Sequence, residues 1–93
     1  MVAVTELMSR YCDGDASAFR ELYGRLAPCV YQSLAGLTGN DEVARALLEQ
    51  AFLTVHRSRR AYIRGADPIP WIQAIARQTF IDHRDAGVRR YAG

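Results

Sequence analysis

The chain of 93 residues is 49% hydrophobic and 24% charged, which is the composition of a globular rather than a disordered protein. Its length suits one small domain with a modest core, and no apolar run reaches the roughly 18–20 residues that span a bilayer. Two cysteines, Cys12 and Cys29, are too few for a disulfide scaffold. We therefore expect a cytoplasmic protein with no membrane segment and no signal peptide.

The basic residues are distinctive in kind and in distribution. All twelve are arginine, which reflects either guanidinium recognition of phosphate or carboxylate groups or a GC-rich genome. Residues 1–46 carry four arginines and six acids, whereas residues 47–93 carry eight arginines and four acids. The C-terminal half is therefore predicted to face an anionic partner.

The apolar pattern predicts helices throughout, because no alternating apolar run exceeds four residues. A short first helix is predicted from about Thr5 to Tyr11. Asp15 is a natural N-cap for a long second helix, which Gly36 and Gly39 are expected to end. Pro28 lies inside this second helix and is predicted to kink it.

Two further helices complete the predicted fold. Asn40 or Asp41 is expected to cap the third helix, whose predicted buried stripe is Val43, Leu47, Leu48, Ala51, Phe52 and Val55. Residues 61–69 are predicted to form a loop, with Pro70 near the start of the fourth helix. From Gly87 onward the chain is expected to fray. The predicted fold class is all-α, a compact bundle of about four helices.

Catalytic chemistry has no visible basis in the sequence, which lacks a glycine-rich phosphate loop, an HExxH motif and cysteines at metal spacing. We therefore expect no enzymatic activity, no metal and no cofactor. Cys29 is interpreted as a small buried hydrophobe rather than a nucleophile. His56 and His83 are interpreted as solvated residues at helix ends.

Arginines are interspersed with aromatic residues from Arg57 to Tyr91. Basic side chains neutralise phosphates and aromatic rings stack on unpaired bases, so this mixture favours single-stranded or locally opened nucleic acid. Structural alternatives stay open. Trp71 lies at helical spacing with Ile72 and Ile75, as in a core, and Tyr62 is suited to packing the loop against the bundle. The arginines are equally compatible with a solvated face.

Three motifs, in order, resemble region 2 of extracytoplasmic-function sigma factors, which belong to the sigma-70 family. Residues 14–23 read GDASAFRELY and are similar to the family pattern Gly-Asp-x-x-Ala-Phe-x-x-Leu-Tyr. Residues 37–40 read LTGN and, with Ala44, Leu47, Phe52 and Leu53 after them, resemble the next helix. Residues 71–77 read WIQAIAR and, with Asp82 and Arg84, resemble Trp-Leu-x-x-Ile-Ala-Arg-Asn-x-x-x-Asp-x-x-Arg. The resemblance covers about residues 5–90 and implies a region 2-like domain.

This resemblance implies that the third helix binds core RNA polymerase, at the clamp helices of its largest subunit. The implied polymerase-binding residues are Arg45, Ala46, Glu49, Gln50 and Leu53. The family usually has Ala-Glu-Asp-Leu-x-Gln-Glu here, whereas residues 44–50 read ARALLEQ. Ala46 and Glu49 therefore replace Asp and Gln, which is expected to weaken a polar interface. The alternative is a sigma-like interaction module bound by an anti-sigma factor or another regulator.

The resemblance also implies recognition and melting of the promoter minus-ten element on the non-template strand. The implied DNA-binding residues are Arg57, Arg60, Arg64, Gly65, Ala66, Asp67, Arg77, Gln78 and Arg84. The loop would cradle a flipped-out base, with Asp67 and the backbone of Gly65 and Ala66 reading its edge. Gln78 stands where the family has Asn, which is expected to shift base preference or to weaken recognition. His56 stands where Trp is common.

Family members usually carry a second helical domain, region 4, that reads the minus-thirty-five element. No counterpart of it lies in these 93 residues, so we interpret residues 1–93 as a single region 2-like domain. A natural single-domain relative and a truncated longer chain both fit. The arginine-rich segment 87–93 resembles the start of a linker, which favours truncation.

Overall fold

A computed structural model describes the backbone of residues 2–92 and the side chains of residues 2–87. The described backbone forms four α-helices: α1 (Val4–Cys12), α2 (Ala16–Thr38), α3 (Asp41–Arg57) and α4 (Pro68–Ala92). A 3-10 helix, Arg59–Ala61, follows α3, and residues 2–92 contain no strand. The predicted all-α bundle of four helices is confirmed.

The ends of α2 and the start of α3 follow the predicted capping signals. Asp15 Oδ1 accepts hydrogen bonds from the backbone N of Ser17 (3.0 Å) and Ala18 (3.4 Å) at the start of α2. Asn40 Oδ1 accepts from the Val43 N (3.1 Å), so Asn40 caps α3. Gly39 ends α2 in the left-handed conformation, at φ +63°.

Helix α2 lies at the centre of the bundle and packs against α1, α3 and α4. Its buried side chains recur every four residues: Ala18, Leu22, Leu26, Val30 and Leu34. Helix α3 buries the predicted stripe except Val43, which is only partly buried, and also buries Ala44. Met8 of α1 and Ile72 of α4 complete the core. All the polar and charged side chains of the described residues lie outside this core.

Three glycines and one proline lie inside helices that they do not end: Gly24, Gly36, Gly87 and Pro28. Helix α2 continues through Pro28 and Gly36 to Thr38, and whether Pro28 bends it stays a prediction. The prediction that the chain frays from Gly87 is wrong, because α4 continues to Ala92. A glycine ends a helix by adopting a positive φ, as Gly39 does, and Gly87 does not.

Helix α4 also begins earlier than predicted, at Pro68 rather than Pro70. The Ile69 N donates to Asp67 Oδ1 (3.0 Å), so Asp67 satisfies one of the free amides of the first turn. Both prolines lie in that first turn, where a missing N–H costs no intrahelical bond. Ile69 is therefore helical, and the loop that precedes α4 is shorter than predicted.

Cys29 is exposed, so its interpretation as a buried hydrophobe is wrong. It directly precedes Val30 on α2 and lies beside the buried stripe rather than in it. Its Sγ accepts a hydrogen bond from Gln73 Nε2 (3.1 Å) of α4. No helix in the described part of the chain is both long and apolar enough to cross a membrane.

Candidate functional site

The bend between α3 and α4 is held in place by Tyr62. This side chain is buried, and its ring centroid lies 5.4 Å from that of the half-buried Trp71. The Tyr62 hydroxyl donates to the Ala66 carbonyl oxygen, and the Ala66 N donates to the Ile63 carbonyl oxygen (3.1 Å). Gly65 takes a φ of +89°, which glycine adopts without strain. Tyr62 therefore packs the loop against the bundle, and Trp71 packs on the core, as the structural alternatives predicted.

Four arginines surround this bend, and we call them the cationic rim: Arg57, Arg59, Arg60 and Arg64. Arg57 and Arg60 are exposed, and neither forms an ion pair with the described side chains. An Arg59 guanidinium N donates to the His56 carbonyl oxygen (2.7 Å). Arg64 pairs with Asp13 of the α1–α2 turn, with 2.5 Å between the guanidinium N and the carboxylate O. The rim therefore contains guanidinium groups that have a partner within the chain, and the exposed groups of Arg57 and Arg60, which form no ion pair with the described side chains and which we call open.

The Arg64–Asp13 pair changes the electrostatics of the turn between α1 and α2. The Arg64 guanidinium donates a hydrogen bond to Asp13 and holds the pKa of that carboxyl below its usual value. Asp13 therefore remains ionised as the pH falls below the range in which an isolated aspartate gains its proton.

The predicted base-edge readers Gly65, Ala66 and Asp67 are all exposed on the loop. Two of them already have partners within the chain. The Ala66 carbonyl accepts from Tyr62, and one Asp67 oxygen accepts from the Ile69 N. Sequence reasoning missed this structural role of Asp67, although an aspartate directly before a proline-started helix is a recognisable capping signal. Base reading by these residues stays a prediction.

The α4 residues lie progressively farther from the rim. Arg77 and Gln78 are exposed, and Gln78 Nε2 donates to Asp82 Oδ1 (2.9 Å). Arg84 lines a recess at the α2–α3 turn, and its guanidinium carbon lies 5.9 Å from the Phe80 ring centroid. At 1.5 Å of rise per residue, Arg84 lies about 24 Å along the helix from Pro68. The structure therefore does not bring Arg84 together with the rim.

Three of the predicted polymerase-binding residues, Arg45, Glu49 and Leu53, border a groove between α2 and α3, which we call the α2–α3 groove. It consists of two recesses, of about 510 Å³ and 380 Å³, that share Tyr23 and Glu49. The predicted residues are all exposed: Arg45, Ala46, Glu49, Gln50 and Leu53. Arg45 pairs with Asp41 at 3.2 Å, and Leu53 leaves 49% of its surface open.

The α2 wall of this groove was not predicted. Tyr23, Ala27, Pro28 and Tyr31 line the larger recess, and Phe52 of α3 lines the smaller one. The Tyr23 and Phe52 rings meet edge to face with centroids 4.8 Å apart. The apolar character of a helical residue does not by itself show whether that residue borders a recess.

His56 is exposed at the end of α3, as predicted, and it also links α3 to α1. Its Nδ1 forms a hydrogen bond with the Tyr11 hydroxyl, and its ring packs against Tyr11 and Phe19. Burial raises the pKa of Tyr11. Because His56 lines the smaller recess and is adjacent to Arg57, it lies at the junction of the groove and the rim.

Three residues in or beside the rim were absent from the predicted site: Asp13, Arg59 and Ile63. Ile63 is a loop side chain with 76% of its surface exposed, next to Arg64. The sequence signal that could have identified Ile63 is an apolar residue within an arginine-rich loop. Asp13 had no such signal, because it lies 51 residues from its partner Arg64.

The structure is a small helical domain with an apolar groove and a cationic rim on its surface. The chain is 44% identical over 69 residues to the RNA polymerase sigma factor CarQ of Myxococcus xanthus. This match covers 74% of the chain and 40% of CarQ, so the chain spans less than half the length of this relative. No family model and no solved structure matches the chain. This match supports a sigma-70 family region in the chain, which is what its three motifs predicted.

Proposed function

We propose that the chain is a sigma factor domain that binds core RNA polymerase and recognises and melts the promoter minus-ten element. The observation that carries this proposal is the 44% identity, over 74% of the chain, to a protein named as an RNA polymerase sigma factor. The cationic rim and the α2–α3 groove supply separate surfaces for two partners. The role is one of binding and does not require a chemical step by the chain.

The DNA-binding half of the proposal rests on the rim, the loop and α4. The open guanidinium groups of Arg57 and Arg60 neutralise backbone phosphates of the melted strand. The loop from Gly65 to Asp67 receives an extruded base, whose unstacking costs a few kcal/mol and must be recovered by contacts. The strand then continues along the exposed side of α4, towards Arg77.

The polymerase-binding half rests on α3. Its exposed Leu53 and the adjoining groove offer apolar contact. Arg45 and Glu49 offer a polar border, and the exposed Gln50 follows Glu49 in the chain. This division, with an apolar centre and polar edges, is typical of protein–protein interfaces. The α2–α3 groove is therefore the surface on which we expect the polymerase clamp helices to pack.

A titration with single-stranded minus-ten DNA tests the DNA-binding half. We expect affinity to fall with salt, with a slope of log K against log salt of about −0.7 for each phosphate contact. With core polymerase present, we expect one promoter sequence to bind more tightly than its scrambled version. Affinity that ignores salt, or that ignores sequence in the presence of polymerase, counts against the proposal.

A second candidate function is that of a sigma-like interaction module, bound by an anti-sigma factor or another regulator. It is favoured by Ala46 and Glu49, which depart from the acidic and amide residues usual in the family. Co-purification with core polymerase separates the two functions, because clear retention opposes this second one and absent retention favours it. The double change Ala46→Asp with Glu49→Gln should strengthen retention if these departures weaken the interface. Glu42→Gln, in the first turn of the same helix, is the control.

A further inference from the structure

A recess of about 410 Å³ opens where the α1–α2 turn meets the cationic rim. Its lining residues are Cys12, Asp13, Gly14, Arg59, Arg60, Tyr62 and Arg64. Three arginines and one aspartate therefore line the recess, and the net charge of the lining is positive. The family motifs carry no expectation for Cys12, Asp13 or Arg59 as ligand-binding residues.

The walls of the recess are fixed by contacts within the chain. The Cys12 thiol lies 3.7 Å from the Arg59 carbonyl oxygen, which links the end of α1 to the 3-10 helix. Arg59 uses one guanidinium N–H on the His56 carbonyl, so its remaining donors stay available. Tyr62 is buried beneath the bend. The arginines are therefore presented on a fixed frame rather than on a free loop.

The Asp13 carboxylate holds the position in front of Arg64 that an anionic ligand would take. A guanidinium group binds a carboxylate and a phosphate with the same planar set of donors. The pair is exposed, with 55% of the Arg64 side chain and 63% of the Asp13 side chain open to solvent. An exposed pair of this kind is worth little, so an entering phosphate can replace the carboxylate.

We propose that this recess binds one backbone phosphate of single-stranded DNA, which displaces Asp13 from Arg64. Arg59, Arg60 and Arg64 hold the phosphate, and the released Asp13 turns to solvent. This inference rests on the proposed DNA-binding function and deepens it, because it assigns a particular phosphate site and a carboxylate that competes for it. Asp13 thereby lowers the affinity for DNA.

The position of the recess favours a strand phosphate over a free anion. Arg60 and Arg64 belong both to the recess and to the expected DNA-binding surface. A strand that places a base in the loop from Gly65 to Asp67 lies next to Arg64, which lines the recess. A free phosphate or a nucleotide presents the same chemistry, and the experiment below distinguishes these sources.

The test compares Asp13→Asn with Glu21→Gln in the full chain. Both variants remove one exposed carboxylate and one ion pair with arginine, since Glu21 pairs with Arg25 at 3.2 Å, away from the recess. The probe is a fluorescein-labelled single-stranded minus-ten oligonucleotide, followed by anisotropy at fixed salt. We expect Asp13→Asn to lower the Kd about two- to fivefold, and Glu21→Gln to leave it within experimental scatter.

Arg59 provides a second, independent measurement. Arg59→Gln should reduce the salt slope by about 0.7, the value of one phosphate contact on a single strand. Arg59→Lys should restore the slope, because the charge returns. Far-UV circular dichroism of each variant checks that its helices are intact. In a set of oligonucleotides, one neutral methylphosphonate replaces a different phosphate in each member. The increase in affinity caused by Asp13→Asn should disappear for only one of these positions.

Inorganic phosphate is the probe for a free-anion site. If it raises the thermal midpoint of the wild-type chain while Asp13→Asn gives no gain with the oligonucleotide, the strand-phosphate proposal is overturned. If the wild-type chain binds DNA with the expected salt slope, but Asp13→Asn and Arg59→Gln behave like Glu21→Gln, this inference fails and the proposed function stands. If the wild-type chain does not bind DNA, both fail.

Discussion

The cationic rim and the α2–α3 groove both include residues of helix α3, but they consist of different types of side chain. The groove is lined by aromatic and apolar side chains, and Arg45 beside it is paired with Asp41. The rim consists of arginines on a bend that Tyr62 anchors, and Arg57 and Arg60 have no ion-pair partner among the described side chains. One helix can therefore offer two partners two kinds of recognition, by shape and apolar contact at one surface and by charge at the other.

The largest expected effect comes from the floor of the groove. Phe52→Ala removes a buried ring that packs against Tyr23 and Phe19, and it should lower the free energy of unfolding by about 3–5 kcal/mol. Denaturant unfolding followed by circular dichroism measures this loss. Leu53→Ala is the matched surface control, and it should weaken polymerase retention with little loss of stability. Equal destabilisation by both changes would contradict this assignment of floor and surface.

The anchor of the bend gives the next effect. Tyr62→Phe removes the hydroxyl that donates to the Ala66 carbonyl but keeps the buried ring, so it should cost about 1 kcal/mol of unfolding free energy. Tyr23→Phe is the control, because the Tyr23 hydroxyl makes no hydrogen bond with the described residues. Thermal and denaturant midpoints for the pair provide the measurement. A loss from Tyr23→Phe as large as that from Tyr62→Phe would remove the basis for calling Tyr62 an anchor.

The open arginines should affect DNA binding and leave stability almost unchanged. The double change Arg57→Gln with Arg60→Gln removes two proposed phosphate contacts, so the salt slope should become shallower by about 1.4. Titration of labelled single-stranded DNA at four or more salt concentrations measures the slope. Arg10→Gln with Arg20→Gln, which removes the same charge from α1 and α2, should leave the slope as it is. An equal change in both double variants would mean that net charge, and not the rim, sets the affinity.

The smallest effect is a pH dependence at the rim. Arg64 lowers the pKa of Asp13, so their pair contributes stability at neutral pH, and this contribution is lost as the pH falls through the lowered pKa of Asp13. The difference in denaturant midpoint between the wild-type chain and Asp13→Asn should therefore be largest near neutral pH. It should shrink on acidification, because a protonated aspartate resembles asparagine. A difference that stays constant with pH would exclude the ion pair as its source.

Local signals in the sequence predicted most of the fold. Asp15 and Asn40 cap helices because a short oxygen-bearing side chain reaches amides two or three residues ahead. Gly39 ends α2 because glycine adopts the left-handed conformation without strain. Each of these effects depends only on close neighbours along the chain. One sequence was therefore enough to locate Asp15 and to narrow the other two to Asn40 or Asp41 and to Gly36 and Gly39.

Features that depend on distant parts of the chain were beyond sequence reasoning. The Arg64–Asp13 pair joins residues 51 positions apart, and no periodicity connects them. Cys29 was expected inside because it is small and apolar, yet the neighbouring Val30 takes the buried position. The candidate site was predicted as residue types on α3, the loop and α4, whereas the recess at the rim also needs the α1–α2 turn.

The buried side chains of α2 recur at intervals of four, and this spacing has a geometric consequence. Each residue advances about 100° around a helix, so every interval of four turns the buried side by about 40°. From Ala18 to Leu34 the buried side rotates by about 160°, so opposite sides of α2 are covered at its two ends. Because of this rotation, α2 can pack against all three of its neighbours, α1, α3 and α4. A single residue inserted midway along α2 would rotate the second half of the helix by about 100° and turn its buried side chains away from their neighbours.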